Sequence, residues 1–430
     1  MHTFLSRVFH WSFWAPSRRP GFRAGLGLLL VAMVGLPTAP AAGQAFPGAP
    51  DEPGLNLRLY PLDTWSPRVG VGVGAGLVVH HLGRRHAQAL VTAAPARHEQ
   101  VATAAWASAH PEQVRQYVLV SARGLHTNRD WFYGLGPGTS SDARQSVERS
   151  AAQFRIRVGQ QFLDRHLLVQ PHVGLSAHRV DRVPSPTAPD LDARSQEHLR
   201  QLASSQLGPL STAHTGLRMG IDVEYDTHPS GPRPTRGMLL RGGWARYEST
   251  ASVQFDRLDL SAHGVVPLGG AHRLVGHLSL AHTAARGKAP VPYYLRPMFG
   301  GSRVPGWARH RFVDSDRLIG SALYRFPLAQ PLNVVRLDGH LGLHAASVYD
   351  DVFSDAALDL TFDEAPDVGG ASVPLRPAAS VGLRVGLSFR EVPSLDLALG
   401  VSPEGVTGVR VALHQDLRAL RTAHHRLRRP

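Results

Sequence analysis

Apolar residues recur at every second position through much of this chain, and the positions between them carry charge or glycine. The clearest run is Leu217-Arg218-Met219-Gly220-Ile221-Asp222-Val223-Glu224-Tyr225-Asp226. In an extended chain Leu217, Met219, Ile221, Val223 and Tyr225 share one face, and Arg218, Gly220, Asp222, Glu224 and Asp226 share the other. Val335–His344, Leu383–Arg390, Phe154–Val158 and Val409–His414 repeat the pattern. A soluble sandwich alternates too, but two features favour a membrane. The runs reach about ten residues, the length that crosses a bilayer at a tilt. The polar face holds charge and glycine, which suits a wet lumen better than a packed interior. An open sheet edge in lipid would leave backbone groups unsatisfied, so the sheet must close. The expected fold is therefore all-β: a closed antiparallel transmembrane β-barrel.

Composition agrees with this reading. Mean hydropathy is only -0.14, as expected when just one face of each strand meets lipid. The chain has 46 Lys+Arg against 33 Asp+Glu, a net charge of +13, and almost all of the basic residues are Arg. These arginines are spread over alternating segments instead of gathering in one patch, so no nucleic-acid partner is expected. With no cysteine, disulfides and thiolate metal sites are excluded.

The N-terminus carries Arg7, Arg18, Arg19 and Arg23, then the apolar run Ala24–Leu36, then small residues around Ala39-Pro40-Ala41. A charged region, a short apolar core and an A-x-A-like exit describe a secretory signal peptide. The core is shorter than the roughly 20 residues that a spanning helix needs. Residues 1–45 are thus expected to be a signal cleaved between Ala41 and Ala45, 46–66 a short leader, 67–417 the barrel and 418–430 a solvated basic tail. Nothing after the signal is apolar for long enough to anchor as a helix.

Fifteen strand segments are predicted: 68–80, 86–95, 100–110, 113–123, 145–162, 166–181, 212–227, 235–248, 251–268, 272–285, 315–328, 334–349, 375–389, 394–402 and 406–417. Single-chain bacterial barrels have even strand numbers, so about 16 are expected. The long connections are predicted at 124–144, 182–211, 286–314 and 350–374, with a short helix within 190–206.

Several segments together resemble one family. Asp130-Trp-Phe-Tyr-Gly134-Leu-Gly136 is similar to its "F-Y-G-x-G" loop, and Tyr225-Asp226-Thr227 with Pro234-Thr235-Arg236-Gly237 to its "Y-D-T-R-D…P-T-x-G" strands. Phe299-Gly300-Gly301-Ser302, Gly306-Trp307 and Leu323-Tyr324-Arg325-Phe326-Pro327-Leu328 resemble its "G-G…R-G-[FY]…E-Y-R-F-P-L" block. Val381–Arg384 and Ser402-Pro403-Glu404-Gly405 resemble its closing strands. This is the bacterial surface antigen family, the barrel domain of the outer-membrane assembly superfamily that includes BamA and TamA. The resemblance runs over roughly 130–417. It implies a 16-stranded barrel whose lid loop folds into the lumen, in proteins that insert or translocate other proteins. It places the lid motif at Gly300, Gly301, Gly306 and Trp307. The leader is too short for the polypeptide-transport-associated domains that full members carry before the barrel. The family's lid arginine falls at Pro305, the glutamate of "E-Y-R-F-P-L" at Leu323 and the wall aspartate at His344. Both ends of the lid's ion pair are absent together, so a lid without that latch is expected.

The lumen-facing candidates are Arg218, Asp222, Glu224, Asp226, Arg325, Arg336, Asp338, His340 and His344. No metal site is expected from the 24 histidines, because no H-E-x-x-H or Cys–His set occurs. No cofactor is expected. No G-x-S-x-G elbow occurs either, so catalytic residues are not assigned. The expected role is a non-enzymatic outer-membrane barrel that touches outer-membrane lipid and other outer-membrane or secreted proteins. A passive pore and an outer-membrane lipid hydrolase are the alternatives.

Overall fold

The computed structural model describes residues 62–66, 70–80, 87–108, 115–182, 191–205, 212–228, 236–301, 304–331, 335–362, 373–387 and 395–413. The expected signal and basic tail lie outside them. Among these residues the strands are β1 (Leu62–Ser66), β2 (Gly70–His80), β3 (Gln88–Pro95), β4 (Glu99–Ala107), β5 (Gln116–Phe132), β6 (Gln145–Phe162), β7 (Leu167–Arg182), β8 (Thr212–Asp226), β9 (Gly237–Ser249), β10 (Gln254–Gly269), β11 (His272–Ala285), β12 (Met298–Phe299), β13 (Phe312–Val313), β14 (Asp316–Ala329), β15 (Val335–Tyr349), β16 (Ala356–Leu360), β17 (Val373–Leu387), β18 (Leu395–Ser402) and β19 (Gly405–Leu413). Two α-helices accompany them, α1 (Ala193–Ser205) and α2 (Val352–Asp355).

Seventeen of the described strands belong to one sheet. From β1 to β11 each pairs antiparallel with the next. The ladder continues from β11 to β14, β15, β17, β18 and β19. β1 also pairs with β19, through Thr64↔Ala412 and Trp65↔Val411, so the ladder returns to its first strand. Setting aside β16, which lies parallel beside the start of β17, sixteen antiparallel strands make the ring.

The alternation becomes two faces. Met219, Ile221 and Val223 of β8, Leu240 and Trp244 of β9, Leu274 and Leu278 of β11, and Leu341 and Leu343 of β15 are all exposed. A soluble protein does not leave so wide an apolar surface uncovered; a lipid-facing belt does. Among the described residues no helix is long and apolar enough to cross a membrane; this chain crosses with strands.

The antiparallel order places the connections after β5, β7, β9, β11, β15 and β18 at one end, the loop end. Those after β6, β8, β10, β14 and β17 lie at the other, the turn end. β1 starts and β19 finishes at the turn end.

The structure corrects several sequence expectations. β1 supplies the sixteenth strand from within the segment expected to be a leader. β5 continues to Phe132, well into the predicted 124–144 loop, and at 17 residues it exceeds the 9–11 that a crossing needs. A register shift between Thr127 and Asp130 marks a bulge. The extra residue resets the alternation, so Thr127, Asp130 and Phe132 are all buried on the inner side. The predicted 350–374 loop contains α2 and β16. Val352 packs there with Tyr349 and Val373, against Leu280 and Leu318. The helix expected within 190–206 is α1.

Candidate functional site: a lid inside the barrel

The connection between β11 and β14, the eleventh and twelfth strands of the ring, folds inward instead of away from the barrel. Its neck is the short β12–β13 pair, Met298↔Val313 and Phe299↔Phe312. Its tip turns on residues with positive φ: Gly300 (117°), Gly301 (63°) and Gly306 (108°). At Gly300 a Cβ would lie 1.9 Å from the Ala308 carbonyl oxygen, so only glycine fits. The Gly301 N–H donates to the Trp307 carbonyl at 2.7 Å and closes the tip.

One side of the lid rests on the wall formed by β14, β15, β17 and β18. Phe299, Val304, Trp307 and Phe312 pack against Ile319, Ala346, Val348 and Ala378, and Trp307 is only 1% exposed. Gly306 meets β18 backbone to backbone. A Cβ on Gly306 would stand 2.6 Å from the Val401 carbonyl oxygen, and one on Gly400 2.1 Å from the Gly306 nitrogen. Ser402 Oγ donates to the Gly306 carbonyl at 2.7 Å.

The tip also reaches the β4–β6 side of the ring. Arg309 pairs with Glu99 at 2.8 Å, and His310 lies 3.1 Å from Asp130, which also meets Arg149 at 3.2 Å. The lid therefore bridges the lumen from β18 to β4 and β5.

Two arginines bind its centre. Arg311, 1% exposed, donates to Glu404 in the β18–β19 turn at 2.6 Å. It also donates to Oγ1 of Thr139 at 2.9 Å and to its carbonyl at 2.6 Å. Its guanidinium stands 4.3 Å from the Phe312 ring and 4.9 Å from the Tyr133 ring. Arg376, on β17, lies 4.5 Å from Phe312 and donates to the Pro137 carbonyl. The sequence pointed to no ionic latch besides the one implied by the resemblance; the structure supplies a different one. The family's pair is replaced at Pro305 and His344, but Arg311–Glu404 ties the lid down elsewhere.

α1 covers the lid from above. Leu199 joins Phe132, Leu135, Val147, Tyr293, Tyr294 and Val313 in one cluster. Arg194 holds the lid's Asp314 with two bonds of 2.8 Å, and Arg296 reaches the same carboxylate at 3.3 Å. The Leu135 N–H donates to Ser195 Oγ at 2.7 Å. His198 of α1 is buried; that burial, assisted by Arg296 and Arg194, pushes its pKa down to about 3. At neutral pH it is an uncharged packing residue.

The other sequence candidates lie along the wall. Arg218, Asp222 and Glu224 alternate with the exposed Met219, Ile221 and Val223. Glu224 pairs with Arg241 at 2.7 Å, and Asp226 accepts from the His228 N–H at 2.9 Å. Arg336 donates to Asp338 at 2.7 Å. Arg325 stands in register with His340. His340 is buried beside Gly382, where a Cβ would meet its ring at 2.2 Å. His344 lies 2.8 Å from Ser321 and 2.9 Å from Ser380, a wall contact and not a lid contact. Sequence reasoning brought together the lid glycines and Trp307 but missed Glu99, Asp130, Thr139, Arg194, Arg309, Arg311, Asp314, Arg376 and Glu404. The one available signal was the concentration of Arg309, His310 and Arg311 directly after the lid motif.

No protein-family model and no curated protein matches the chain. Solved structures do. BamA from Haemophilus ducreyi lacking POTRA domains 1-3 superposes with a TM-score of 0.56 at 12% identity, over 81% of this chain and 68% of that one. CdiB from Escherichia coli gives 0.53 at 12% identity, over 82% of this chain and 61% of that one. The shared property is the fold: a large outer-membrane-type β-barrel.

Proposed function

We propose that this chain is an outer-membrane barrel of the assembly or translocation type, with its loop end outward and a lid that plugs its lumen. Its role on this reading is non-enzymatic, its surroundings are outer-membrane lipid, and its clients are other outer-membrane or secreted proteins. The observation that carries the reading is the lid between the eleventh and twelfth strands, fixed to opposite walls of a sixteen-strand ring. A passive diffusion pore has no use for a lumen crossed by a buried, ion-paired strap. The BamA and CdiB barrels lend support as folds of the same kind. Among the described residues the ring is also held most thinly between β1 and β19, where two residue pairs are registered, against fourteen between β7 and β8. Separation there breaks the fewest backbone hydrogen bonds.

Conductance in planar bilayers, before and after deletion of 287–313, tests the plug. Deletion is expected to raise conductance, and an unchanged value refutes a lumen-filling lid. Loss of other barrels from the envelope on deleting the gene supports assembly, while an unchanged envelope leaves only a plugged structural barrel. Turnover of phospholipid by the purified protein refutes the non-enzymatic assignment.

A further inference from the structure

Below the lid, the inner faces of β6 to β10 form a recess whose side chains follow from strand register. Arg155 of β6 pairs with Gly174 of β7, which pairs with Arg218 of β8. The row beside it runs Arg157, His172, Gly220, Ala245 and Arg257. The next runs Gln170, Asp222, Gly243 and Asp259. Gly174 and Gly220 have no room for a side chain: a Cβ would stand 2.7 Å from the Phe154 carbonyl oxygen and 2.2 Å from that of Trp244. The floor between the arginines is therefore bare. With strands about 4.8 Å apart, the backbones of Arg155 and Arg218 face each other across roughly 10 Å. The cavity is about 80 Å³ and is lined by Arg155, Arg218, Arg257, Tyr247, Phe255 and the lid's Leu295. One water needs roughly 10–15 Å³, so the space holds several waters or one small polyatomic anion. Arg257 donates to the Leu295 carbonyl at 3.2 Å and fastens the lid over it.

Charge in this recess is unbalanced. Three guanidinium groups line the cavity (Arg155, Arg218 and Arg257), and two carboxylates (Asp222 and Asp259) stand on the neighbouring rows. Arg257 occupies Asp259 with two bonds of 3.0 Å, and Asp222 sits 3.4 Å from His172. Among the described residues no carboxylate lies within ion-pair distance of Arg155 or Arg218, and Arg218 Nε is buried without a hydrogen-bond partner. Confined like charges repel, and an enclosed cation without a counter-charge is costly.

We propose that this recess binds a phosphate group, with Arg155 and Arg218 gripping it from opposite sides over the Gly174 floor. A dianionic phosphate matches the two positive charges of Arg155 and Arg218, and its oxygens match the paired N–H donors of their guanidinium forks. The group is either free phosphate or the headgroup of a phospholipid. The inference does not rest on the handling of other proteins; a barrel with no such role still binds phosphate here.

The test is calorimetric titration of the full-length protein in non-ionic micelles with sodium phosphate, ionic strength being held constant with sodium chloride. Heat-modifiable gel mobility verifies each variant's barrel. Saturable binding is expected. Arg155→Gln with Arg218→Gln weakens it at least tenfold, while Arg246→Gln, on the opposite face of β9 from Tyr247, leaves it within twofold. If the double variant fails to fold, Arg218→Lys keeps the charge and loses the fork, and several-fold weaker binding is expected. Titration with short-chain phosphatidic acid separates the sources: tighter binding than inorganic phosphate identifies a lipid headgroup, and equal binding a soluble phosphate. Absence of saturable binding by both ligands overturns the proposal. So does wild-type affinity in the folded double variant or in Arg218→Lys.

Discussion

Replacing Arg311 by Met tests whether the lid is latched by charge or merely packed. The wild-type guanidinium makes bonds of 2.6, 2.9 and 2.6 Å to Glu404 and Thr139. It is 1% exposed, and the Glu404 side chain is 11% exposed. Methionine fills much of the same volume, so the loss is electrostatic. It leaves the Glu404 carboxylate poorly solvated and unpaired, and breaking one partner from a buried pair costs about 3–5 kcal/mol. Each 1.4 kcal/mol is a factor of ten. If the cost falls on the closed lid, the open-to-closed ratio rises by roughly a hundred- to a few thousand-fold. Glu404→Gln removes the other charge, and the double variant removes both. The double variant should recover much of the loss, giving a coupling energy of about 2 kcal/mol, inside the range for residues in direct contact. The assay is single-channel recording in planar bilayers, with open dwell fractions from the four proteins forming a double-mutant cycle. An open fraction within threefold of wild type in Arg311→Met would falsify the latch. Effects of the two single variants that add to within about 0.5 kcal/mol also count against it.

Three further outcomes are expected. Gly400→Ala places a methyl group 2.1 Å from the Gly306 nitrogen. It should push the lid tip off β18 at a cost of about 1–3 kcal/mol, read as more frequent openings; unchanged gating refutes the close backbone contact. His198 titrates near 3 in the folded protein and near 6.5 when free. The released helix therefore binds protons first as pH falls, and α1 docking weakens from about pH 6.5 downward, its His198 contribution being lost below about 3. Proteolysis within 193–205 should accelerate at pH 4.5 relative to a fixed-site control peptide, and His198→Leu should flatten that difference; the same slope in the variant refutes it. Leu343→Arg, at a position 69% exposed on the outer face, should destabilise the inserted barrel by about 2–4 kcal/mol near the bilayer midplane. Arg336→Leu, on the inner face, should cost much less. Equal urea midpoints for the two variants in lipid vesicles would contradict the assignment of faces.

The contrast between Leu343 and Arg311 explains what the sequence made legible. Lipid acts on every strand in the same way and at a period of two, so Leu341 and Leu343 declare their face without any knowledge of their neighbours. β1 escaped because Leu62–Ser66 is too short to show a period; its place in the ring comes from pairing with β2 and β19. The end of β5 escaped because its bulge breaks the period, leaving His126-Thr127-Asn128-Arg129 to read as a loop. That same bulge points Asp130 at the lid, so a site residue was hidden together with the strand that presents it. The latch was harder still. Arg311 is 93 residues from Glu404 and 172 from Thr139, and only the closed ring, with its connections assigned to one end, makes them neighbours. A basic residue beside a lid motif is visible in a sequence. Which acid it meets depends on the register of strands that must first be paired around the whole barrel.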